Sequence, residues 1–217
     1  MHDERSRFSR RAFMRRSIAA IAWAPALHFG AACGTPALTA RREEECEWCG
    51  APDAPASPSW SIRIAPEGEP GEPIHISGTV FGPDGRTPAM GVLLYAYHTD
   101  ATGYYTTRGD ETGNGRRHGR LRGWMKTRED GRYEFRTIKP APYPNRKDPA
   151  HIHMTVSAPG YPEYWIDDIV FEGDPRITAA EREGRPKRGG FPATLTLARG
   201  GDGVWRATRN IKLERVG

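Results

Sequence analysis

His151 and His153 stand two residues apart in His151-Ile-His-Met-Thr-Val-Ser157, a run that reads as a β-strand. Residues i and i+2 of a strand point to the same face, so both imidazoles can converge on one metal ion, or share a solvated face. Eight residues before His151, Tyr143 lies in Pro140-Ala-Pro-Tyr143-Pro-Asn, where three prolines lock φ. Further upstream, Thr102-Gly103-Tyr104-Tyr105 sets two more phenols after a turn. Phenolate is a hard anionic donor. Two phenolates and one hydroxide neutralise a ferric ion, and imidazoles complete its shell without adding charge. Zinc more usually takes His, Cys or carboxylate. The spacing alone leaves open which of Tyr104 and Tyr105 would take part.

These groups need a rigid frame, and the punctuation of the chain indicates which. The 217 residues include 25 Gly and 19 Pro, which argues against a helical bundle and for short strands joined by turns. Strands are expected at 75–81, 90–97, 133–138, 151–157 and 165–171. Residues 195–197 with 205–213 read as a final hairpin around Gly200-Gly-Asp-Gly203, and a helical turn is expected at 178–182. The expectation is an all-β sandwich of about seven to nine strands over residues 74–217.

The segment from Gly78 to Phe171 resembles the catalytic domain of the intradiol ring-cleavage dioxygenases, the protocatechuate and catechol dioxygenase family. The resemblance rests on the Asp84-Gly85 turn, Gly103-x-Tyr105 and Arg122-Gly123. It continues through Asp130-Gly131-Arg-Tyr-Glu-Phe-Arg-Thr-Ile-Lys-Pro-Ala-Pro-Tyr143-Pro and Pro149-Ala-His151-Ile-His153. It implies a prealbumin-like (transthyretin-like) sandwich in which Tyr105, Tyr143, His151 and His153 bind a non-haem Fe(III). Gly-x-Tyr singles out Tyr105, leaving Tyr104 to packing or the pocket. It further implies a small aromatic diol and O₂ as substrates. Tyr143 would take up a substrate proton, and cleavage between the hydroxylated carbons would give a muconate-type diacid.

Two positions depart from the family. An Arg is usual three residues before the first ligand His, where this chain has Asp148, and a Gln is usual where it has Asp168. Carboxylates near the iron would repel an anionic aromatic acid. Arg146 or Arg120 would then supply the cation, or the substrate would be neutral or cationic. Tyr104, Arg146, Asp148 and Asp168 are accordingly the candidate substrate residues. The competing reading is an exported transthyretin-like binding module with weak or no ring cleavage. A zinc or copper hydrolase built on H-x-H lacks a carboxylate base at motif spacing.

The net charge of +5 suggests nucleic acid until its location is traced. Residues 1–16 carry a net +4, residues 17–40 carry no Asp, Glu, Lys or Arg, and the rest is nearly neutral. A charged head followed by an apolar run is an export pattern, and Ser9-Arg10-Arg11-Ala-Phe13-Met-Arg15 resembles a twin-arginine signal. Residues 1–40 are therefore expected to be a removable address to the periplasm or cell envelope. Gly30-Ala-Ala-Cys33 offers a possible lipid anchor, and prolines and glycines interrupt the run before it could span a bilayer. Residues 41–73, with Cys46-Glu-Trp-Cys49, read as a Pro-rich exposed linker in which Trp60–Ile64 is a candidate first strand. The CxxC, half of a zinc-ribbon spacing, is expected to be a local disulfide or linker thiols. Arg182–Arg188 is expected to be a solvated loop.

Overall fold

The computed structural model describes residues 47–183, 186 and 188–215, all within one compact unit, Arg42–Gly217. The expected export signal, Cys33 and Cys46 lie outside the described residues.

Alternation builds the strands. In β2 (Pro73–Phe81) Ile74, Ile76 and Val80 point inward, while His75, Ser77 and Thr79 are part-exposed. This strand is central to the first sheet, whose order is β1 (Ser61–Arg63), β5 (Arg132–Ile138), β2, β10 (Trp205–Thr208) and β9 (Ala198–Arg199). A further strand, β11 (Ile211–Lys212), also pairs with β2. The second sheet runs β4 (Arg122–Lys126), β3 (Leu93–Tyr97), β6 (His151–Ala158), β7 (Tyr161–Phe171) and β8 (Thr194–Leu195). Inward side chains of both sheets, among them Phe135, Leu94, Met154 and Ile166, form one apolar cluster. Each such side chain contributes roughly 1.5–3 kcal/mol by leaving water. The molecule is thus an all-β sandwich, as expected.

Four details differ from the sequence reading. First, eleven strands are present among the described residues, including β4, which was not foreseen. Two short helices occur, α1 (Gly115–His118), also unforeseen, and α2 (Ala179–Arg182), where Thr178 and Glu181 form a capping box.

Second, the C-terminal hairpin is shorter than expected. Only β9 and β10 pair antiparallel, whereas β8 lies parallel to β7 and both β10 and β11 lie parallel to β2. Between β10 and β11 the side-chain oxygen of Asn210 accepts from the Thr79 amide at 3.1 Å, filling the gap in the ladder.

Third, residues 51–73 are not a free linker. β1 pairs parallel with β5, Ile64 and Ala65 join the core, and Lys126 N–H donates to Ser59 C=O. Proline removes donors from this segment, but the groups that remain find partners on the sandwich.

Fourth, the CxxC region is docked. Cys49 is buried and disulfide-bonded, and Glu163 of β7 caps the amides of Gly50 and Ala51 at 2.8 and 2.9 Å. The Gly50 carbonyl accepts from the Trp124 indole at 2.6 Å, and the Glu47 carbonyl accepts from His118 at 2.9 Å.

Candidate metal centre

β6 opens on His151, and His153 pairs in register with Tyr97 at the end of β3. The centre therefore sits where β3 ends and β6 begins, roofed by the two long loops that connect β3 to β4 and β5 to β6. Asp100 organises the first loop. Its Oδ1 accepts from the Thr102 hydroxyl and amide at 2.6 and 2.8 Å and from the Tyr104 amide at 3.2 Å. Burial alone would raise this carboxyl, but those hydrogen bonds hold it below the ordinary carboxylate range.

The two tyrosine loops are stitched together. Ala141 N–H donates to Asp100 C=O at 3.1 Å, and the Thr99 hydroxyl donates to Ala141 C=O at 2.7 Å. Gly103 holds φ of +87°, and a Cβ there would lie 2.4 Å from the Pro142 carbonyl oxygen. Gly119, at φ +68°, closes against Tyr105 in the same way, with a Cβ 2.9 Å from the Tyr105 carbonyl carbon. Glycine at both places lets the backbones approach closely enough to aim the phenols.

Four donor atoms converge. Tyr105 Oη and Tyr143 Oη are 2.6 Å apart, and Tyr143 Oη is 3.2 Å from Nε2 of both His151 and His153. The two Nε2 atoms are 3.1 Å from each other. Ligands at roughly 2.0–2.1 Å from a shared ion stand about 3 Å from one another, which is the spacing among Tyr143 Oη and the two Nε2 atoms.

The outer nitrogens fix what the inner ones can do. His151 Nδ1 is 2.7 Å from the Pro149 carbonyl, and His153 Nδ1 is 2.9 Å from Asp168 Oδ1. Both partners are acceptors, so each Nδ1 carries a proton, and in the neutral ring Nε2 presents a lone pair. Two lone pairs 3.1 Å apart repel, and a cation between them removes the repulsion. The donor set therefore fits a metal ion, and two phenols favour a hard, highly charged one. Burial raises both phenols, Tyr105 far above its ordinary value with Tyr143 adding to the shift. Phenolate thus forms here only with a cation at hand. Burial likewise lowers His151, helped by the neighbouring His153, which keeps it in the neutral ligand form.

The remaining candidates fall in different places. Asp168 lies with His151 and His153 within a 4.8 Å cluster, but its Oδ1 is hydrogen-bonded to Nδ1, on the side of the His153 ring away from Nε2. It is placed to orient the His153 ring. Arg146 lies over the Tyr143 ring at 5.4 Å and pairs with Asp148 at 3.3 Å, both at the exposed rim. Tyr104 is 55% exposed. Arg120 is committed to a bidentate pair with the buried Glu69.

Three contributors were not foreseen. Tyr97 stacks on His153 with centroids 4.7 Å apart, and His118 stacks on Tyr97 at 3.7 Å. Trp165 donates its indole N–H to Asp168 Oδ1 at 2.9 Å. The strand Leu-Leu-Tyr-Ala-Tyr97 was legible, but nothing in its spacing says which ring meets a histidine.

Residues 54–183 match the family model described as dioxygenase. The chain is 35% identical over 125 residues to the 6-chlorohydroxyquinol 1,2-dioxygenase of Cupriavidus pinatubonensis, covering 49% of this chain and 42% of that protein. It is 35% identical over 132 residues to catechol 1,2-dioxygenase 1 of Acinetobacter lwoffii, covering 54% and 41% respectively. The chain thus spans less than half the length of these curated relatives. Among solved structures it resembles the dioxygenase domain of a dioxygenase–carbohydrate-binding protein fusion from the cellulolytic bacterium Streptomyces sp. SirexAA-E. That match has 31% identity and a TM-score of 0.54, and covers 76% of this chain and 92% of that domain.

Proposed function

From the premise that this chain belongs to the intradiol ring-cleavage dioxygenase family, we propose that it is a non-haem Fe(III) dioxygenase acting on a catechol-type aromatic diol. The products of such a reaction with O₂ are muconate-type diacids holding both oxygen atoms. One observation carries the assignment of the metal, namely that Tyr143 Oη and the two imidazole Nε2 atoms lie 3.1–3.2 Å from one another, with Tyr105 Oη 2.6 Å from Tyr143 Oη.

Fe(III) supplies a Lewis acid that renders a bound catecholate open to O₂. The residues of this chain do the rest. Tyr105, His151 and His153 would hold the ion. Tyr143 is part-buried beneath the exposed Arg146. Its phenolate would accept a proton from a catechol hydroxyl, with Arg146 stabilising negative charge on the ring meanwhile. Asp148 and Asp168 make the surroundings acidic, and Arg120 is engaged by Glu69, which favours a neutral catechol over one bearing a carboxylate.

A visible spectrum after ferric loading tests the centre, because phenolate-to-Fe(III) charge transfer colours such a site. A colourless loaded protein sinks the reading. O₂ uptake across a panel of neutral and carboxylated catechols tests the reaction. Iron binding without uptake on any of them leaves the exported binding module in its place, a reading favoured by Asp148 pairing off Arg146. We also propose export through residues 1–40, on the strength of the Arg10-Arg11 pattern. Secretion that survives replacing both by Lys would refute it.

A further inference from the structure

The two imidazoles of the centre differ in what stands behind them. His151 Nδ1 donates to a neutral carbonyl, that of Pro149, at 2.7 Å. His153 Nδ1 donates to an anion, Asp168 Oδ1, at 2.9 Å. The same Oδ1 also accepts the Trp165 indole N–H at 2.9 Å, so the carboxylate oxygen is held from two directions.

A bulge makes this possible. Ile152 pairs with Ile169 but Met154 pairs with Ile166, so His153 alone faces both Asp167 and Asp168. The extra residue reverses the alternation of β7. Positions 165 and 168 would lie on opposite faces of a regular strand, and here both reach the same atom.

We propose that Asp168 is a positioning residue that sets how strongly His153 donates to the metal. The proposal rests on the ferric reading above. The carboxylate fixes Nδ1 as the protonated nitrogen and draws its proton outward, making His153 the more electron-rich of the two imidazoles. Greater donation stabilises the ferric over the ferrous state and moves the phenolate-to-metal charge-transfer band to higher energy. Trp165 tempers the effect by taking a share of the charge on Oδ1. The chemistry is that of a carboxylate–histidine–metal triad in which the tryptophan is a fourth member.

Wild type, D168N and W165F are compared as ferric proteins by visible absorption, by ferric affinity against a competing chelator, and by reductive titration. D168N keeps a side-chain oxygen and loses the charge. Its band moves to lower energy, its ferric affinity falls about 10–100-fold, and it reduces more readily. W165F keeps an aromatic ring and returns the shared charge to His153, so its band moves the opposite way. Opposite shifts support the assignment. Shifts in one direction in both variants, or an unshifted D168N, overturn it, because loosened packing would affect both alike. If D168N fails to fold, the direction of the W165F shift decides. A wild type that shows no band overturns the ferric reading itself, and this assignment with it. A coloured wild type with unresponsive variants overturns this assignment alone.

Discussion

The hydroxyl oxygens of Tyr105 and Tyr143 lie 2.6 Å apart although 38 residues separate them. They come from different loops, and the loops meet because Thr99, Asp100 and Gly103 bind or abut the backbone of residues 141–142. The two phenols are nevertheless unequal. Tyr105 is the more strongly raised by burial and lies tilted against Tyr97, whereas Tyr143 lies beneath an exposed arginine. Under the proposed function the first would stay on the metal and the second would serve as the proton acceptor.

Phenylalanine at each position should separate these roles. Tyr105→Phe is expected to weaken ferric binding and most of the charge-transfer band. Tyr143→Phe is expected to keep iron, alter the band, and lower kcat/KM by about 100-fold or more through loss of the proton acceptor. Iron content, the visible spectrum and steady-state O₂ uptake check this, and identical behaviour of the two variants would refute the division.

Gly103→Ala should disable the centre from a distance. The alanine would have to adopt φ near +87° and set its Cβ 2.4 Å from the Pro142 carbonyl oxygen. The left-handed conformation alone costs on the order of 1–3 kcal/mol, and the overlap forces the two tyrosine loops apart. Thermal unfolding should show the loss in stability, and ferric stoichiometry should fall with it.

Glu163 fastens the cysteine-bearing segment, since its carboxylate accepts from the amides of Gly50 and Ala51 and from the Thr155 hydroxyl. Glu163→Ala strands these donors and is expected to cost about 1.5–3 kcal/mol. Limited proteolysis should then cut between residues 47 and 59 sooner than in the wild type. An unchanged cleavage rate would show that the disulfide at Cys49 and the Trp124 and His118 contacts suffice.

Stability should fall in mild acid. Burial lowers His98 to about 4, and burial likewise lowers His118 to about 4. Each is satisfied as a neutral ring. His98 donates to the Thr99 carbonyl and accepts from Thr137, while His118 donates to the Glu47 carbonyl and accepts from Tyr95. The unfolded chain takes up protons at these histidines near pH 6.5 and the folded chain only near 4. Their contribution is therefore complete above about pH 6.5 and is lost as pH falls toward 4, on the order of 3 kcal/mol for each. Denaturant unfolding at pH 7.5 and 4.5 measures the difference. Asparagine at position 98 should flatten the dependence, and an equally steep profile would contradict it.

Much of this centre could be read from the chain before folding. The strand period puts His151 and His153 on one face, and Pro140, Pro142 and Pro144 announce a stiff loop around Tyr143. These are local properties, carried by neighbours a few residues away. The alternation that gave the strands their inward and outward faces likewise needed no partner.

The tertiary structure decided what depends on register and on docking. Asp168 read as a substrate residue because its place along the strand says nothing of the bulge that turns it behind His153. One inserted residue reverses the parity of a strand, and only pairing with the neighbouring strand reveals where it falls. Residues 47–73 read as a linker because proline-rich chain lacks periodicity. Their hydrogen bonds go to Glu163, Trp124 and residues of β5, more than 60 positions away. Composition sets what a side chain or an amide can bond to, and the approach of distant strands settles which partner it meets.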